Sequence, residues 1–429
     1  MVFQTRIVVT GIGAVTPFGV GVKRFWNELL AGKSAIRQMS DPVLRQWSPV
    51  AAEVLNLNVS DYLPRKLVMD TDRATQLGLI AAMEAIEHAG FIGQYPFQTT
   101  SRMQEIDPDR IGVAMGSAFG GIQSLEIGAG KLAIDSTTRM SPRLVSKSIP
   151  NAAAAAIAMQ YGIRGPVMNY TTACASAANA IGEASYWLRS GEVDMVIAGG
   201  AECLFSPVIL AGLKAAGALA VTGSADYSQW SRPFDKNRQG MVMGEGAAVI
   251  VLETLDHAVA RGAQIYAELR GYGTSNDAYH ETAPHPDGAG AILAMQRALH
   301  SGGLEPDDID YINAHATSTP AGDRAEGTAL KALFKHHLDK IPVSSIKGAI
   351  GHLLGAAGAI SSIASILSIR TGWLPPTLHC DTPDPLAPPD IVPRSRNQKV
   401  KCVLSNSFGF GGQNGVLVWE AFESEQDIH

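Results

Sequence analysis

Short apolar runs typical of buried strands alternate with helix-like patterns along the whole chain of 429 residues. The strand-like runs are residues 7–10, 111–115, 167–170, 195–198, 247–252, 309–314 and 400–404. Helical spacing of apolar residues occurs between them, at residues 74–89, 175–189, 288–300 and 323–334. Strands that are apolar throughout are buried on both faces, which requires helices on each side of the sheet. The alternation therefore predicts the α/β class.

The length of the chain predicts two domains or one duplicated architecture, because a single hydrophobic core rarely grows this large. We place the boundary near residue 260, which gives an N-terminal half (residues 1–260) and a C-terminal half (residues 261–429). Cys174 and His352 are each followed by a helix of small residues, and this repeated pattern favours duplication. The alternative is chance similarity between two helices rich in alanine and glycine. A duplication would place both helix starts at one shared centre.

Composition excludes several classes of protein. Apolar residues make up 46% of the chain and charged residues 17%, a balance that rules out a disordered protein. The net charge is −6 and no long basic run occurs, so nucleic acid is not an expected partner. Residues 348–369 could imitate a membrane span, but they contain His352 and many small residues, which favours a buried helix and no membrane partner.

The four cysteines show neither metal-binding spacing nor a disulfide framework. This pattern and the absence of a signal peptide predict reduced thiols in the cytoplasm. Gly11 and Gly13 lack the third glycine of a dinucleotide fingerprint, and we expect them in a tight turn after the first strand. The sequence contains no phosphate loop and no HExxH motif. We therefore expect neither a metal nor a cofactor.

Cys174 follows a predicted strand and opens a helix of small residues. The partial positive charge at a helix N-terminus favours thiolate, the form of cysteine that attacks a carbonyl carbon. We expect the turn to expose the sulfur. The alternative is a buried structural cysteine. The small neighbours favour a reactive site, because they leave room for a substrate.

Two histidines lie in similarly small surroundings, while the other nine are taken as ordinary core or surface residues. His315 follows a predicted strand and precedes a run of hydroxyl residues, and His352 lies in a glycine-rich turn before a helix. One cysteine and two histidines in such turns indicate acyl-thioester chemistry.

Six motifs occur in order between Thr10 and Gly415: Thr-Ala-Cys at 172–174, Ser-Arg-Pro-Phe-Asp at 231–235, Met-Gly-Glu-Gly at 243–246, residues 313–320, residues 347–358 and residues 406–414. Together they resemble the type II β-ketoacyl-[acyl carrier protein] synthases. The resemblance implies a thiolase fold, in which two βαβαβαββ halves pack as five αβαβα layers around the active site. It also implies a homodimer, or a heterodimer with a chain-length-factor-like homologue.

The resemblance implies roles for five side chains. Cys174 would take the acyl chain from a carrier-protein thioester, and His315 and His352 would stabilise the enolate that forms when malonate loses CO2. Lys347 and Glu326 would form a buried pair that orients the histidines. The alternative for these two residues is an ordinary surface ion pair.

Backbone and substrate contacts are implied as well. The N–H groups of Cys174 and Phe410 would form an oxyanion hole, and Thr317 and Thr319 would bind the pantetheine arm of the carrier protein. Phe408 and Gly409 are further expected substrate contacts, with core packing as the alternative for the ring of Phe408. Phe410 would also gate access to the thiol.

The expected activity is 3-oxoacyl-[acyl-carrier-protein] synthase, the condensation of an acyl chain with malonyl carrier protein. Fatty-acid and polyketide elongation both remain open, including a ketosynthase subunit paired with a chain-length factor. A non-catalytic partner subunit is a rival, against which Cys174 argues. A CoA-dependent thiolase is the second rival, although thiolases use a second cysteine where this chain offers a second histidine.

Overall fold

The computed structural model describes residues 5–91 and 106–423. The strands are β1 (Ile7–Thr16), β2 (Gly19–Val20), β3 (Arg37–Gln38), β4 (Val50–Ala51), β5 (Ile111–Gly116), β6 (Val167–Tyr170), β7 (Met195–Glu202), β8 (Gly246–Thr254), β9 (Ala267–Asn276), β10 (Tyr311–Asn313), β11 (Val343–Ser344), β12 (Trp373–Leu374), β13 (Arg396–Asn397), β14 (Cys402–Gly409) and β15 (Gln413–Glu420). The helices are α1 (Val22–Leu30), α2 (Arg65–Asp70), α3 (Arg73–His88), α4 (Ile122–Ile134), α5 (Leu144–Ser148), α6 (Ala152–Tyr161), α7 (Ser176–Arg189), α8 (Pro207–Ala215), α9 (Leu255–Ala260), α10 (Ala289–Gly302), α11 (Pro320–Phe334), α12 (Lys347–Ile350) and α13 (Ala357–Thr371).

Eleven of the described strands form one sheet system in the order β11-β10-β14-β15-β9-β1-β8-β7-β5-β6, with β2 paired to β1. The two ends of this order repeat the same arrangement: β6-β5-β7-β8-β1 matches β11-β10-β14-β15-β9. In both, the first three strands run parallel and the remaining pairs run antiparallel. Strands β1 and β9 join the two sets through Val8 and Val9. The predicted duplication is therefore confirmed.

Helices cover both sets of strands and also separate them. Helices α3 and α6 pack on the outer face of the N-terminal set, and α10 packs on the outer face of the C-terminal set with α11 beside it. Between the sets, α7 and α13 pack against each other and against strands of both sets. This is the five-layered αβαβα arrangement implied by the resemblance.

The two central helices approach closely because their contact surface is made of small residues. A Cβ atom at Gly358 would lie 2.6 Å from the backbone nitrogen of Ala178, so only glycine fits there. The stretch Leu354–Thr371 is long and apolar enough to cross a membrane, but most of it is buried inside the protein. The prediction of a buried helix is confirmed.

The turn predicted at Gly11 and Gly13 is wrong, because both lie inside strand β1. A Cβ atom at Gly11 would lie 2.0 Å from the carbonyl oxygen of Ala85, and one at Gly13 would lie 2.1 Å from that of Ala81. These glycines allow helix α3 to lie directly on the strand. Their function is close approach of backbones rather than a change of chain direction.

Candidate active site

Three segments at the starts of helices or the ends of strands bring the predicted reactive side chains together. Cys174 lies in the turn Ala173–Ala175 before α7, His315 lies just after β10, and His352 lies between α12 and α13. The Nε2 atom of His352 is 3.0 Å from the sulfur of Cys174. The rings of His315 and His352 meet edge to face, with centroids 5.3 Å apart. The two helix starts therefore lie at one shared site, as the repeated pattern predicts.

The sulfur of Cys174 is buried, contrary to the prediction that the turn exposes it. The residue is 5% exposed and packs in an apolar cluster with Leu204, Met243 and Leu354. Burial raises the pKa of Cys174 to about 12, although the ammonium of Lys347 and a backbone N–H act in the opposite direction. The thiol is therefore protonated at neutral pH in the free protein. The helix N-terminus does not outweigh the loss of water.

Both histidines are held in the neutral form. Burial lowers the pKa of His315 and of His352 well below its usual value, and the positive charge of Lys347 lowers both further. A neutral imidazole can donate one hydrogen bond to an oxygen without carrying a charge itself. The pair can thus act as two neutral donors toward a carbonyl oxygen.

Glu326 fixes the turn that carries His315. Its carboxylate accepts hydrogen bonds from the backbone N–H of His315 (2.9 Å), the backbone N–H of Ala316 (2.7 Å) and Nδ2 of Asn406 (2.9 Å). These three donors occupy the carboxylate oxygens, and Glu326 forms no ion pair with Lys347 within the described residues. Both residues are nevertheless buried and interact through their charges. Their expected role as a buried pair that orients the histidines stays a prediction.

Lys347 is buried beside the site and acts through its charge. Burial lowers the pKa of Lys347 to about 8, while the Glu326 carboxylate opposes this shift.

The ligand atoms of Cys174, His315 and His352 lie within 4.8 Å of one another, a donor set that zinc accepts in other proteins. The ammonium of Lys347 disfavours a second cation at the same place, and the expectation of a metal-free site stays a prediction.

A cavity opens onto the cysteine and both histidines. Every predicted site residue except Lys347 lines it: Cys174, His315, Thr317, Thr319, Glu326, His352, Phe408, Gly409 and Phe410. The hydroxyl oxygens of Thr317 and Thr319 lie 3.0 Å apart on its wall. The cavity therefore combines a thiol, neutral imidazoles and a pair of hydroxyl groups.

The turn after β14 closes over the cysteine. The backbone N–H groups of Phe410 and of Cys174 itself both face the sulfur and lower its pKa. A Cβ atom at Gly409 would lie 3.0 Å from the nitrogen of Cys174, which explains the glycine at this close approach. Gly411 and Gly412 have φ of 74° and 70°, the left-handed region that favours glycine. Two N–H donors thus converge where a substrate oxygen could bind.

Three further polar residues near the site were not predicted. Asp277 and His285 line the cavity, and the Asp277 carboxylate accepts from Nδ2 of Asn414 (2.8 Å) and the N–H of His285 (2.9 Å). Glu202 is fully buried, and burial raises its pKa to about 7. Glu202 could have been predicted, because a carboxylate at the end of an apolar strand is unusual. The sequence around Asp277 has no regular pattern and indicates no site.

Comparison with known proteins identifies similar chains. Models of the beta-ketoacyl synthase N-terminal and C-terminal domains match residues 4–258 and 266–381. The chain is 41% identical over 421 residues to a 3-oxoacyl-[acyl-carrier-protein] synthase 2 of Staphylococcus aureus (strain COL), covering 98% of this chain and 99% of the relative.

Two solved structures have similar folds over nearly the whole chain. One is a type II polyketide synthase acyl-carrier protein in complex with its ketosynthase bound to the hexaketide, with a TM-score of 0.86 and 32% identity. The other is the ishigamide ketosynthase/chain length factor, with a TM-score of 0.87 and 31% identity. In both, the match covers 98% of this chain and 100% of the other.

Proposed function

The chain belongs to the beta-ketoacyl synthase family, and from that premise we propose that it condenses an acyl thioester with malonyl carrier protein during chain elongation. It is an acyltransferase that forms carbon–carbon bonds. The proposed residue roles rest on one observation. One buried cysteine and two neutral histidines lie together in a single cavity. The pathway is fatty-acid or polyketide biosynthesis.

The first half-reaction loads the acyl chain. The sulfur of Cys174 attacks the carbonyl carbon of the acyl thioester, and the bond from that carbon to the pantetheine sulfur breaks. The proton of the Cys174 thiol ends on the departing pantetheine sulfur. The N–H groups of Cys174 and Phe410 stabilise the oxyanion formed in between. The Cys174 thiol is protonated in the free protein. The two N–H groups must therefore stabilise the negative charge that develops on the acyl oxygen once the carbonyl is bound.

The second half-reaction forms the carbon–carbon bond. Malonyl carrier protein loses CO2, and His315 and His352 donate hydrogen bonds to the thioester oxygen on which the enolate charge develops. The enolate carbon attacks the acyl carbon on Cys174, and the bond from that carbon to the sulfur breaks. A proton from solvent restores the thiol, and the 3-ketoacyl product leaves on the carrier protein.

The other predicted residues support these steps. Glu326 holds the backbone of His315, and burial together with the charge of Lys347 keeps both imidazoles neutral. Thr317 and Thr319 bind the polar pantetheine arm along the cavity wall, with Phe408 and Gly409 as its apolar boundary. This division of work assigns the nucleophile to residues 1–260 and the histidines to residues 261–429. The free cysteines are consistent with a cytoplasmic location.

A ketosynthase subunit paired with a chain-length-factor homologue is the second candidate. The observation in its favour is the similarity of this chain to the ishigamide ketosynthase/chain length factor. Strand β6 ends the sheet order and leaves one edge without a partner strand among the described residues, which suits either kind of partner. A second chain could cover this edge. The cysteine and both histidines favour the condensing subunit over a non-catalytic one.

Product analysis tests the proposal directly. Purified protein is incubated with malonyl carrier protein and a ladder of acyl carrier proteins, and products are identified by mass spectrometry. We expect CO2 release and 3-ketoacyl thioesters two carbons longer than each accepted starter. Peptide mapping should find the acyl group on Cys174 and none on the other three cysteines, and Cys174→Ala should form no product.

Each alternative predicts a different result. Product that forms only after a homologous partner chain is added would support the heterodimer. Turnover of acetoacetyl-CoA without a carrier protein would support a thiolase and contradict the proposal.

A further inference from the structure

Glu202 ends strand β7 with a fully buried carboxylate that the mechanism above does not use. Its Oε2 atom accepts from the backbone N–H of Ala118 (2.5 Å) and of Gly355 (3.2 Å), and its Oε1 atom accepts from Oγ of Ser117 (3.1 Å). Burying a carboxylate is costly unless such donors are present. One side chain thus ties together β7, the loop after β5 and the turn that follows His352.

The turn after His352 packs closely against strand β7. A Cβ atom at Gly355 would lie 2.3 Å from Oε2 of Glu202, and one at Gly200 would lie 2.7 Å from the carbonyl oxygen of Gly355. Leu354 adopts a φ of 45°, which is unusual for a residue with a side chain. Such backbone conformations persist only where the surroundings hold them.

His352 is also held on its other side. Its N–H donates to the carbonyl oxygen of Val242 (2.8 Å), and its own carbonyl accepts from the N–H of Gly244 (2.9 Å). Val242 and Gly244 precede strand β8, and Glu202 ends strand β7. Both anchors of His352 therefore come from the half of the chain that carries Cys174.

His315 is anchored differently. Its backbone N–H donates to Glu326, which also accepts from Nδ2 of Asn406, and both partners belong to the C-terminal half, as His315 does. A buried carboxylate thus accepts a hydrogen bond from the turn at each histidine. Only at His352 does this carboxylate belong to the other half of the chain. We propose that Glu202 is a positioning residue for His352, which it holds against the nucleophile from the opposite half of the molecule.

This inference rests on the proposed function, in which His352 donates a hydrogen bond during decarboxylation. A misplacement of about 1 Å in such a donor can reduce the rate about a hundredfold. The Nε2 atom of His352 is 3.0 Å from the sulfur of Cys174, and among the described residues Glu202 supplies the one side-chain hydrogen bond to the turn that follows His352. Loss of the carboxylate should loosen the imidazole while leaving the cysteine turn in place.

Glu202→Gln is the decisive variant, because it keeps the side-chain volume but leaves one oxygen acceptor where the carboxylate has two, and it removes the negative charge. We expect CO2 release from malonyl carrier protein to fall about tenfold to a hundredfold. Acylation of Cys174, followed by intact-protein mass spectrometry, should not fall, because the charge of Glu202 raises the pKa of the Cys174 thiol and its loss acts in the opposite direction. Ser117→Ala, which removes one donor to Glu202 and keeps the carboxylate, should show a smaller loss in the same direction.

Glu253→Gln is the matched control. Glu253 is equally buried, but its partners Thr10, His257 and Arg261 lie outside the site. This variant should lower the melting temperature without changing the ratio of decarboxylation to acylation. If Glu202→Gln lowers both half-reactions equally, or if its ratio matches that of Glu253→Gln, Glu202 only supports the fold and the inference is wrong.

His352→Ala separates this inference from the proposed function. If His352→Ala keeps full decarboxylation, the role given to the histidine fails. If His352→Ala loses decarboxylation while Glu202→Gln and Ser117→Ala keep the wild-type ratio, only the role of Glu202 is refuted.

Discussion

Cys174 and Lys347 control each other's protonation at the centre of the site. Burial raises the pKa of the Cys174 thiol, and the positive charge of Lys347 lowers it. Burial in turn lowers the pKa of Lys347 to about 8, so this ammonium begins to lose its proton just above neutral pH. The lysine therefore helps thiolate formation below pH 8, and its help fades as the pH rises.

Alkylation kinetics test this coupling. Only the thiolate reacts, so the rate of Cys174 alkylation by iodoacetamide should rise from pH 6 to pH 9. Lys347→Met removes the positive charge and should slow alkylation below pH 8. The two rates should converge above that pH, where wild-type Lys347 is neutral. A constant ratio across the range, measured by mass spectrometry, would show that Lys347 does not act through its charge.

The two histidines should be needed for decarboxylation but not for loading. Each supplies one neutral donor to the developing enolate, and loss of one such donor costs about 2 to 4 kcal/mol, or about a hundredfold or more in rate. We therefore expect His315→Ala and His352→Ala to abolish most CO2 release while Cys174 still accepts some acyl chain. Radiolabelled malonyl carrier protein measures the first step and peptide mapping measures the second. Unchanged CO2 release in both variants would refute the assignment.

At the scale of single elements, local patterns predicted which segments form strands and helices better than where they end. Strand β6 matches its predicted range, but β1 continues to Thr16 because α3 lies on its glycines. Helix α11 begins at Pro320, before its first predicted residue, since proline suits the first turn of a helix. These limits depend on tertiary contacts that no local window contains.

The same reasoning explains which site features could be predicted. Cys174, His315 and His352 are recognisable because each lies in a run of small residues. The burial of Cys174 was not predictable, because Leu204, Met243 and Leu354 reach the sulfur from separate segments. The hydrogen bonds of Glu326 were not predictable for a related reason, since two of its donors lie in the separate turn that carries His315.

The turn at Phe410 combines a bulky ring with glycine hinges. The ring packs beside Cys174 in the apolar cluster, and Gly411 and Gly412 allow the backbone to move. We expect the turn to open for the acyl chain and close once Cys174 is acylated, so that malonate is decarboxylated only when an acceptor is present. Phe410→Ala should leave folding nearly intact but release CO2 without condensation.

Single-turnover assays measure the ratio of CO2 to condensed product in this variant. Phe410→Leu is the matched control, because it keeps an apolar side chain in the cluster, and it should stay near a ratio of one. A ratio of one in Phe410→Ala as well would mean that the ring only packs.

At the scale of the whole molecule, duplication explains why one site draws on both halves. The central helices α7 and α13 occupy equivalent positions in the shared central layer, and their N-terminal turns carry Cys174 and bring His352 beside it. The repeated strand order makes this meeting a consequence of the fold. The repeated pattern in the sequence could indicate it, whereas the one hydrogen bond of Glu202 that crosses between the halves, from Gly355, could not be predicted from any single segment.

The sheet also ends in a way that predicts assembly. Strand β6 pairs only with β5 in the described part of the chain, which leaves a row of backbone groups free for another strand. Met168 on this strand is 52% exposed, and Met159 on the neighbouring helix α6 is 78% exposed. An apolar edge of this kind suits a second copy of the chain, because two-fold symmetry pairs such a strand with itself.

Met168→Asp tests whether this edge holds two chains together. A buried, unpaired carboxylate at a two-fold interface lies close to its own symmetry mate, so both desolvation and like-charge repulsion oppose association. We expect the wild-type protein to sediment as a dimer and Met168→Asp as a monomer or a weakened dimer. Val259→Asp places the same charge on an exposed valine of helix α9, away from β6, and should sediment as wild type. If Met168→Asp remains a dimer of unchanged affinity, the second chain binds elsewhere, and if wild type is a monomer until a homologous chain is added, the edge belongs to a heterodimer.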